Sequence, residues 1–104
     1  MSNQSNKPSS ASFYAKLGLR IKKERINKHI SQQRLAESVY LTRTSINNIE
    51  HGRQKILLDT FCRISSILEV TPADLLPSLN EINESLGVDV TQDIPEDIKK
   101  WIYR

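Results

Sequence analysis

The sequence predicts an all-α protein, a five-helix domain around one small core with a tail at each end. Between residues 13 and 76 apolar side chains recur every three or four positions, the period of an amphipathic helix. No segment shows the alternation of a half-buried strand, and we find no internal repeat. The 104 residues suffice for one small domain, which would gain stability from a partner.

The first two helices are predicted from apolar spacing and capping. Leu17 and Ile21 lie four residues apart, which places them on one face of a helix from about residue 13 to residue 28. Ser31 is a suitable N-cap for a second helix, "QQRLAESV", at residues 32–39. A short connection between the two helices is therefore expected.

A third helix is predicted from residue 43 to about residue 50. Thr42 can cap its first turn, and Leu41 before the cap can pack on Ile46 as a hydrophobic staple. Gly52 suits the left-handed residue that commonly ends such a helix. The second and third helices are then joined by a tight turn that contains neither Gly nor Pro.

Two further helices complete the predicted domain. The fourth spans about residues 58–68 and places Phe61, Ile64 and Leu68 inward. In the fifth, Thr71 caps the helix, Pro72 takes the first helical position, and Asp74 completes a capping box.

The chain divides into three predicted segments. Residues 1–12 are rich in Ser and Asn and are expected to be a disordered tail. Residues 13–77 form the helical domain. Residues 78–104 form an extension, with a short helix ending at Gly87 and a second helix near 94–104 that must dock on something to be stable.

The net charge of +3 conceals a division between the two halves of the chain. Residues 13–56 hold ten Lys/Arg and three Glu, a net charge of +7. Residues 57–104 hold four Lys/Arg and nine Asp/Glu, a net charge of −5. The basic half indicates a polyanionic partner, although helical surfaces are often charged and halves can differ by chance.

The stretch "LTRTSINNIEHGRQK" is unusual for an exposed helix. At about 100° per residue, its Arg, Thr and Asn side chains form one polar face opposite Ile46 and Ile49. Exposed helix faces usually favour Lys and Glu, and this face has neither. Short side chains that donate and accept hydrogen bonds suit base edges in the major groove of DNA. A merely solvated face is the alternative.

The segment "SQQRLAESVYLTRTSINNIEHG" resembles the Xre family, the helix-turn-helix DNA-binding proteins of the phage repressor and Cro type. The resemblance covers roughly residues 15–76. It includes Ser-Gln at the start of the second helix, Ile-x-x-Ile-Glu-x-Gly at the end of the third, and Leu-x-Val-x-Pro-x-x-Leu-Leu at the fifth. It implies five helices around one core, with the third helix in the major groove of double-stranded DNA and a homodimer on a two-fold operator.

The resemblance also implies roles for individual residues. The positions implied to contact bases are Arg43, Thr44, Asn47 and Asn48. The positions implied to contact phosphates are Gln32, Ser45, Arg53 and Lys55, and both Asn47 and Ser45 could serve either role. Arg25 and Glu50 match an ion pair that ties the first helix to the third.

The sequence departs from the family pattern in two places. Tyr40 stands where Gly is frequent, so the backbone there must avoid a positive φ or bear strain. The fourth helix is preceded by an apolar run rather than a polar cap. Two apolar features are therefore candidates for the dimer contact. They are the run at Ile56, Leu57 and Leu58, and the stripe at Ile94, Ile98, Trp101 and Ile102. We favour the stripe, because a Trp buries a large area.

Several other functions find no support in the sequence. No nucleophile and base, paired carboxylates or phosphate loop is recognisable, so we expect neither an enzyme nor a cofactor. His29 and His51 are isolated from other ligands, which argues against a metal site. Cys62, the single cysteine, is expected to pack beside Phe61. Without a signal peptide or a membrane-length apolar run, a soluble cytoplasmic protein is expected.

These inferences together predict a transcriptional regulator, most simply a repressor. Two other classes remain open at this stage. An antitoxin would use the acidic extension to bind a protein toxin and would regulate its own gene. A protein-interaction module would keep the helical scaffold without salt-dependent DNA binding. The C-terminal extension is a possible site for a protein partner.

Overall fold

The computed structural model describes residues 10–88, together with Asp97 and Trp101. Six helices and no strands lie in residues 10–88, which confirms the all-α expectation. The helices are α1 (Ala11–Asn27), α2 (Gln32–Ser38), α3 (Arg43–Glu50), α4 (Leu58–Ile67), α5 (Pro72–Leu75) and α6 (Leu79–Leu86). The first begins two residues before its predicted start. Most of the N-terminal tail and most of the predicted helix near 94–104 lie outside the described residues.

Helices α1, α2, α3, α4 and α5 share one hydrophobic core. Its buried members are Leu17, Ile21, Leu35, Ala36, Val39, Ile46, Ile49, Phe61, Ile64, Leu68 and Leu75. Ile21, Ile46 and Ile64 have no exposed surface, so three helices are anchored at one place. Truncating a buried Ile or Leu to Ala typically costs about 2–5 kcal/mol, which makes this small core sensitive to substitution.

Side-chain caps set the start of most helices. The Ser31 hydroxyl accepts from the Arg34 backbone N–H at 3.0 Å and so begins α2. Thr42 accepts from the Ser45 N–H at 3.0 Å and so begins α3. The expected capping box at α5 is present, and a second box begins α6. At α4 the N-cap residue is Leu57, which makes no side-chain cap.

The first four helices end in the same way, with a left-handed residue after the last turn. These residues are His29, Tyr40, Gly52 and Glu69, with φ of 58°, 62°, 73° and 60°. In α4, for example, Glu69 N–H donates to Ser66 O at 3.1 Å and Val70 N–H donates to Ser65 O at 3.0 Å. This is the Schellman pattern, which satisfies the last carbonyl groups of a helix. Three of the four ends therefore hold a side chain where glycine is favoured.

The residue after each left-handed position shows a second regularity. This residue is Ile30 after α1, Leu41 after α2 and Val70 after α4, and all three pack against the core. At α3 it is Arg53, which is exposed. The same backbone motif thus closes three helices with apolar anchors and places a cation on the surface beside the end of α3.

Close backbone packing of α1 on α3 positions the third helix. A Cβ built on Gly18 would lie 2.7 Å from the carbonyl oxygen of Glu50. A Cβ built on Gly52 would lie 2.6 Å from the Cα of Ala15. The close contact between α1 and α3 therefore requires glycine at both positions. Gly52 also has a positive φ, which glycine adopts without strain.

The last described helix docks on the first. The Arg20 guanidinium donates to the Glu81 carboxylate at 2.9 Å and to Leu76 O at 2.6 Å, and the Lys16 ammonium donates to the Ser85 hydroxyl at 3.1 Å. These pairs make α6 antiparallel to α1. The pKa of Glu81 is lowered, first by a backbone hydrogen bond from Ser78, with Arg20 and Lys16 adding to the effect. Part of the basic half is thus neutralised within the chain.

Candidate nucleic-acid interface

The turn between α2 and α3 orients the third helix. Tyr40 adopts a φ of 62°. Of the two outcomes expected from the sequence, the backbone therefore adopts the strained left-handed conformation and does not avoid a positive φ. Its side chain is 85% exposed and contributes little to the core. Leu41 turns inward beside it, and Thr42 begins α3 directly afterwards. A four-residue connection, residues 39–42, thus joins α2 to α3 without glycine.

The four residues predicted to contact bases share one face of α3. Arg43 and Thr44 are exposed, whereas Asn47 and Asn48 are partly buried. On the opposite face Ile46 is 0% exposed and Ile49 is 3% exposed. The helix thus presents a polar surface with donors and acceptors while its aliphatic side holds it to the core.

An ion pair beneath this face connects α1 to α3. Arg25 Nε donates to Glu50 Oε2 at 2.6 Å, and Arg25 Nη2 donates to Glu50 Oε1 at 3.1 Å. The Glu50 side chain has no exposed surface and that of Arg25 is 10% exposed. Arg25 Nη1 also donates to the carbonyl of Ile30 at 2.8 Å. A buried, bidentate pair of this kind restricts how α3 can rotate against α1.

Gln32 has a different environment from the one its predicted phosphate contact requires. Its amide nitrogen donates to Glu50 Oε1 at 3.0 Å and to Asn47 Oδ1 at 3.1 Å. An amide nitrogen carries two hydrogens, so both donors of this side chain are engaged within the protein. The remaining Oε1 is an acceptor and cannot bond to a phosphate oxygen. In this geometry the side chain supports α3, and its contact with a phosphate stays a prediction.

The other predicted phosphate contacts lie around the start and end of α3. Ser45 is partly buried, and its hydroxyl accepts from Thr42 Oγ1 at 3.2 Å. Arg53 and Lys55 are exposed in the segment that follows α3. The two cations are therefore on the surface beside the polar face, as a backbone contact would require.

The predicted dimer residues fall in two places. Leu57 and Leu58 are 75% and 76% exposed, whereas Ile56 is partly buried. Ile56 and Leu58 border an apolar groove of about 200 Å³, lined by Phe13, Tyr14, Leu17, Ile56, Leu58, Phe61 and Leu76. Leu57 lies outside this groove and lines a second, smaller one with Leu41, Ile49 and Ile56. Of the C-terminal stripe, Trp101 is 68% exposed, while Ile94, Ile98 and Ile102 lie outside the described residues.

Some features were not predicted from the sequence. The role of Gly18 depends on contact with a distant helix, and the bonds of Gln32 to α3 depend on tertiary geometry. The capping box at residues 78–81 does have a local signal, Ser-x-x-Glu, which could have predicted it. The expectation that Cys62 packs beside Phe61 was wrong, because the Cys62 side chain is exposed on α4.

The fold and this surface define a DNA-binding transcriptional regulator of the helix-turn-helix class, not an enzyme. A sequence model of the helix-turn-helix family designated HTH_3 matches residues 21–75, more than half of the chain. The chain belongs to this family, as its resemblance to Xre-type proteins implied. None of the helices in the described residues could cross a membrane.

Comparison with individual proteins agrees with this assignment. Control protein C.BamHI of Bacillus amyloliquefaciens is 40% identical over 60 residues, which cover 57% of this chain and 74% of that protein. The structure is similar to the restriction-modification controller protein C.AhdI from Aeromonas hydrophila, with a TM-score of 0.58 and 27% identity over 61% of this chain and 96% of that one. It is also similar to a hypothetical transcription factor, NHTF, from Neisseria, with a TM-score of 0.61 and 28% identity over 75% and 88% of the two chains.

Proposed function

We propose that this protein is a repressor that binds a two-fold operator as a homodimer, with α3 of each subunit in the major groove. The observation that carries the proposal is the polar face of α3, which is held outward by the buried Arg25–Glu50 pair and a buried aliphatic side. A helix of this size fits the major groove, where each base pair shows a distinct set of donors, acceptors and methyl groups.

The side chains on this face have different proposed tasks. Arg43 has the bidentate donors that suit guanine, and Asn48 has the amide that suits adenine. The methyl group of Thr44 suits the thymine methyl. Arg53 and Lys55 are proposed to contact phosphates, which adds affinity without sequence preference and makes binding salt-dependent.

A dimer follows from the small size of the reading surface. One α3 of eight residues can read only a few base pairs. Two copies related by a two-fold axis would place their third helices in successive major grooves, about 34 Å apart on one side of the duplex. Repression follows where such an operator overlaps a promoter.

We place the proposed dimer contact at Leu57 and Leu58. Both side chains are more than 70% exposed, Leu58 borders the larger apolar groove, and Leu57 borders a smaller one beside it. Large exposed apolar patches commonly mark interaction sites. Neither residue lies on the polar face of α3, so a contact there leaves the reading surface free. This choice differs from the C-terminal stripe that the sequence favoured.

The similarity to two proteins described as controllers supports a more specific proposal. C.BamHI is called a control protein, and C.AhdI is called a restriction-modification controller protein. We propose that the genes regulated by this chain include those of a restriction-modification system. Operators located upstream of endonuclease or methyltransferase genes would support this proposal, and operators elsewhere would contradict it.

Selection of genomic fragments by the purified full-length protein tests the main proposal. Bound fragments should share a two-fold sequence, and their affinity should fall steeply as salt rises. The matched control is the Arg43→Ala, Asn48→Ala double variant, which should lose the shared sequence while remaining folded. Bound fragments without a common two-fold sequence would overturn the operator model. A reporter driven by a bound promoter then distinguishes repression from activation.

A further inference from the structure

A chain of hydrogen bonds runs from the core to the polar face of α3, and each step determines the next. It begins at Glu50, whose carboxylate is held by two bonds from Arg25, at 2.6 and 3.1 Å. Because Arg is always charged and donates only, the paired carboxylate acts as an acceptor. Any further side chain that bonds to this carboxylate must therefore present a donor.

Gln32 is that further side chain. Its amide must present nitrogen, not oxygen, to Glu50 Oε1, which lies 3.0 Å away. Although the oxygen and nitrogen of an amide are alike in shape, the Glu50 carboxylate determines that the nitrogen of Gln32 faces it. The second hydrogen of the same nitrogen is then directed to Asn47 Oδ1 at 3.1 Å. The orientation of the Gln32 amide is thus set by a buried charge.

The orientation of Asn47 follows in turn. Its oxygen faces Gln32, so its nitrogen is the end that remains for another partner. Within the described residues Asn47 Nδ2 makes no hydrogen bond. We infer that Gln32 is a positioning residue that presents Asn47 to DNA as a hydrogen-bond donor, an inference that rests on the proposed operator binding.

The consequence concerns what position 47 can recognise. An asparagine that reads adenine in the bidentate manner must offer both a donor and an acceptor to the base. The Asn47 oxygen faces Gln32, so the atom that Asn47 offers to DNA is its unbonded amide nitrogen. This donor selects a hydrogen-bond acceptor, either a purine N7 or a phosphate oxygen. Gln32 then influences DNA binding without touching DNA, which differs from a direct phosphate contact.

A double-mutant cycle on the selected operator tests the positioning role. Gln32→Ala should weaken binding when Asn47 is present and should have no further effect in the Asn47→Ala background. The control is Gln33→Ala, because this neighbouring glutamine is exposed and its side chain bonds to Glu37 on the surface of α2. If Gln32→Ala costs the same affinity in both backgrounds, Gln32 contacts DNA itself and the inference is wrong.

The Asn47→Asp variant tests the polarity directly. Aspartate has nearly the same shape and can still accept from Gln32, but its outer atom is an acceptor. Binding should weaken by about 10-fold or more, with thermal unfolding measured to show that the variant folds. Wild-type affinity in this variant would overturn the inference while leaving operator binding intact. If the wild-type protein binds no selected DNA, the proposed function fails, and the inference with it.

Modified operators identify the acceptor. Duplexes with 7-deazapurines remove N7 at one base at a time, and methylphosphonates remove the charged oxygen at one phosphate at a time. The substitution that removes the partner of Asn47 should weaken the wild-type protein but not Asn47→Ala. A 7-deazapurine effect locates the acceptor on a base, and a methylphosphonate effect locates it on the backbone. No difference between the two proteins in either series would contradict a donor contact.

Discussion

Gly18 of α1 lies so close to the carbonyl group of Glu50 that a Cβ on Gly18 would be 2.7 Å from the carbonyl oxygen and 2.8 Å from its carbon. Real side chains do not approach backbone atoms at this distance, so the two helices would have to separate. The absence of a side chain at position 18 thus sets how closely α3 packs on α1. It also sets the position of the polar face that we propose to contact DNA.

This contact predicts that Gly18→Ala destabilises the fold. In an exposed helix the change from Gly to Ala would stabilise by about 1 kcal/mol. Here overpacking against backbone should outweigh that gain and cost about 1–3 kcal/mol net. Thermal unfolding gives the sign directly. A higher melting temperature in Gly18→Ala would show that helix propensity wins and that the close contact is absent.

The buried ion pair predicts a larger effect. Glu50→Ala leaves the Arg25 guanidinium without its carboxylate in a site where its side chain is only 10% exposed. Stranding one partner of a buried pair costs about 3–5 kcal/mol. Denaturant unfolding should show this loss, and DNA binding should fall with it because α3 loses its tie to α1. The control is Arg63→Ala, since Arg63 and Asp59 form an exposed pair at 3.7 Å that should contribute little.

The left-handed helix ends predict a stabilising change. A non-glycine residue in this conformation costs roughly 1 kcal/mol, and the Tyr40 side chain is 85% exposed. Tyr40→Gly should therefore raise stability by about 0.5–1 kcal/mol after the greater freedom of the unfolded chain is deducted. Tyr40→Ala is the matched control, because it removes the ring and keeps the strained backbone. An equal gain in both variants would mean that the ring, not the backbone, is the source.

Local signals explain why most of the fold could be predicted. Ser31 and Thr42 are caps whose partners lie three residues away. Gly52, with its positive φ, follows the end of α3 where the sequence predicted it. Ile46 and Ile49 reveal the buried side of α3 by spacing alone. Each of these features is set within about one helical turn, so neighbouring residues carry the information.

Features that join distant segments could not be predicted in this way. In the sequence Gly18 is a residue of low helix propensity, and its role becomes visible when the backbone of α3 lies against it. The bond from the Gln32 amide to Glu50 joins residues 18 positions apart and has no local signal. Arg20 adds to the basic charge of the first half of the sequence, but in the fold it forms an ion pair with Glu81, 61 residues later. Composition correctly indicated an anionic partner for the chain, but which cations remain available depends on these tertiary contacts.

The polar face of α3 predicts two classes of DNA-binding variant. Arg43→Ala and Asn48→Ala should each cost about 1–3 kcal/mol on the operator and relax the preference at one base pair. Arg53→Ala and Lys55→Ala should instead weaken all sequences alike and lower the salt dependence by about one counterion each. Affinities on operator and random duplexes over a salt series separate the two classes. Equal losses on both duplexes for Arg43→Ala would remove it from the base-reading residues.

The exposed leucines predict where the subunits meet. Leu57→Glu and Leu58→Glu each place a charge on a surface that the proposed dimer would bury. Since an unpaired charge is costly in an apolar interface, both variants should dissociate toward monomer while keeping their helical content. Because useful specificity requires two copies of α3, each variant should bind a half-site only weakly. Sedimentation of the variants and the wild-type chain at micromolar concentration measures the first effect.

A truncation separates this interface from the C-terminal stripe at Ile94, Ile98, Trp101 and Ile102. The cut belongs after Val88, because removal from residue 78 onward would also delete α6, which docks on α1 through the Arg20–Glu81 pair. If Leu57 and Leu58 form the contact, the truncated chain should sediment as a dimer and bind the full operator. A monomeric truncated chain beside dimeric leucine variants would place the interface on the stripe instead. A monomeric wild-type protein would contradict the two-fold operator, since a single α3 reads too few base pairs to select one site.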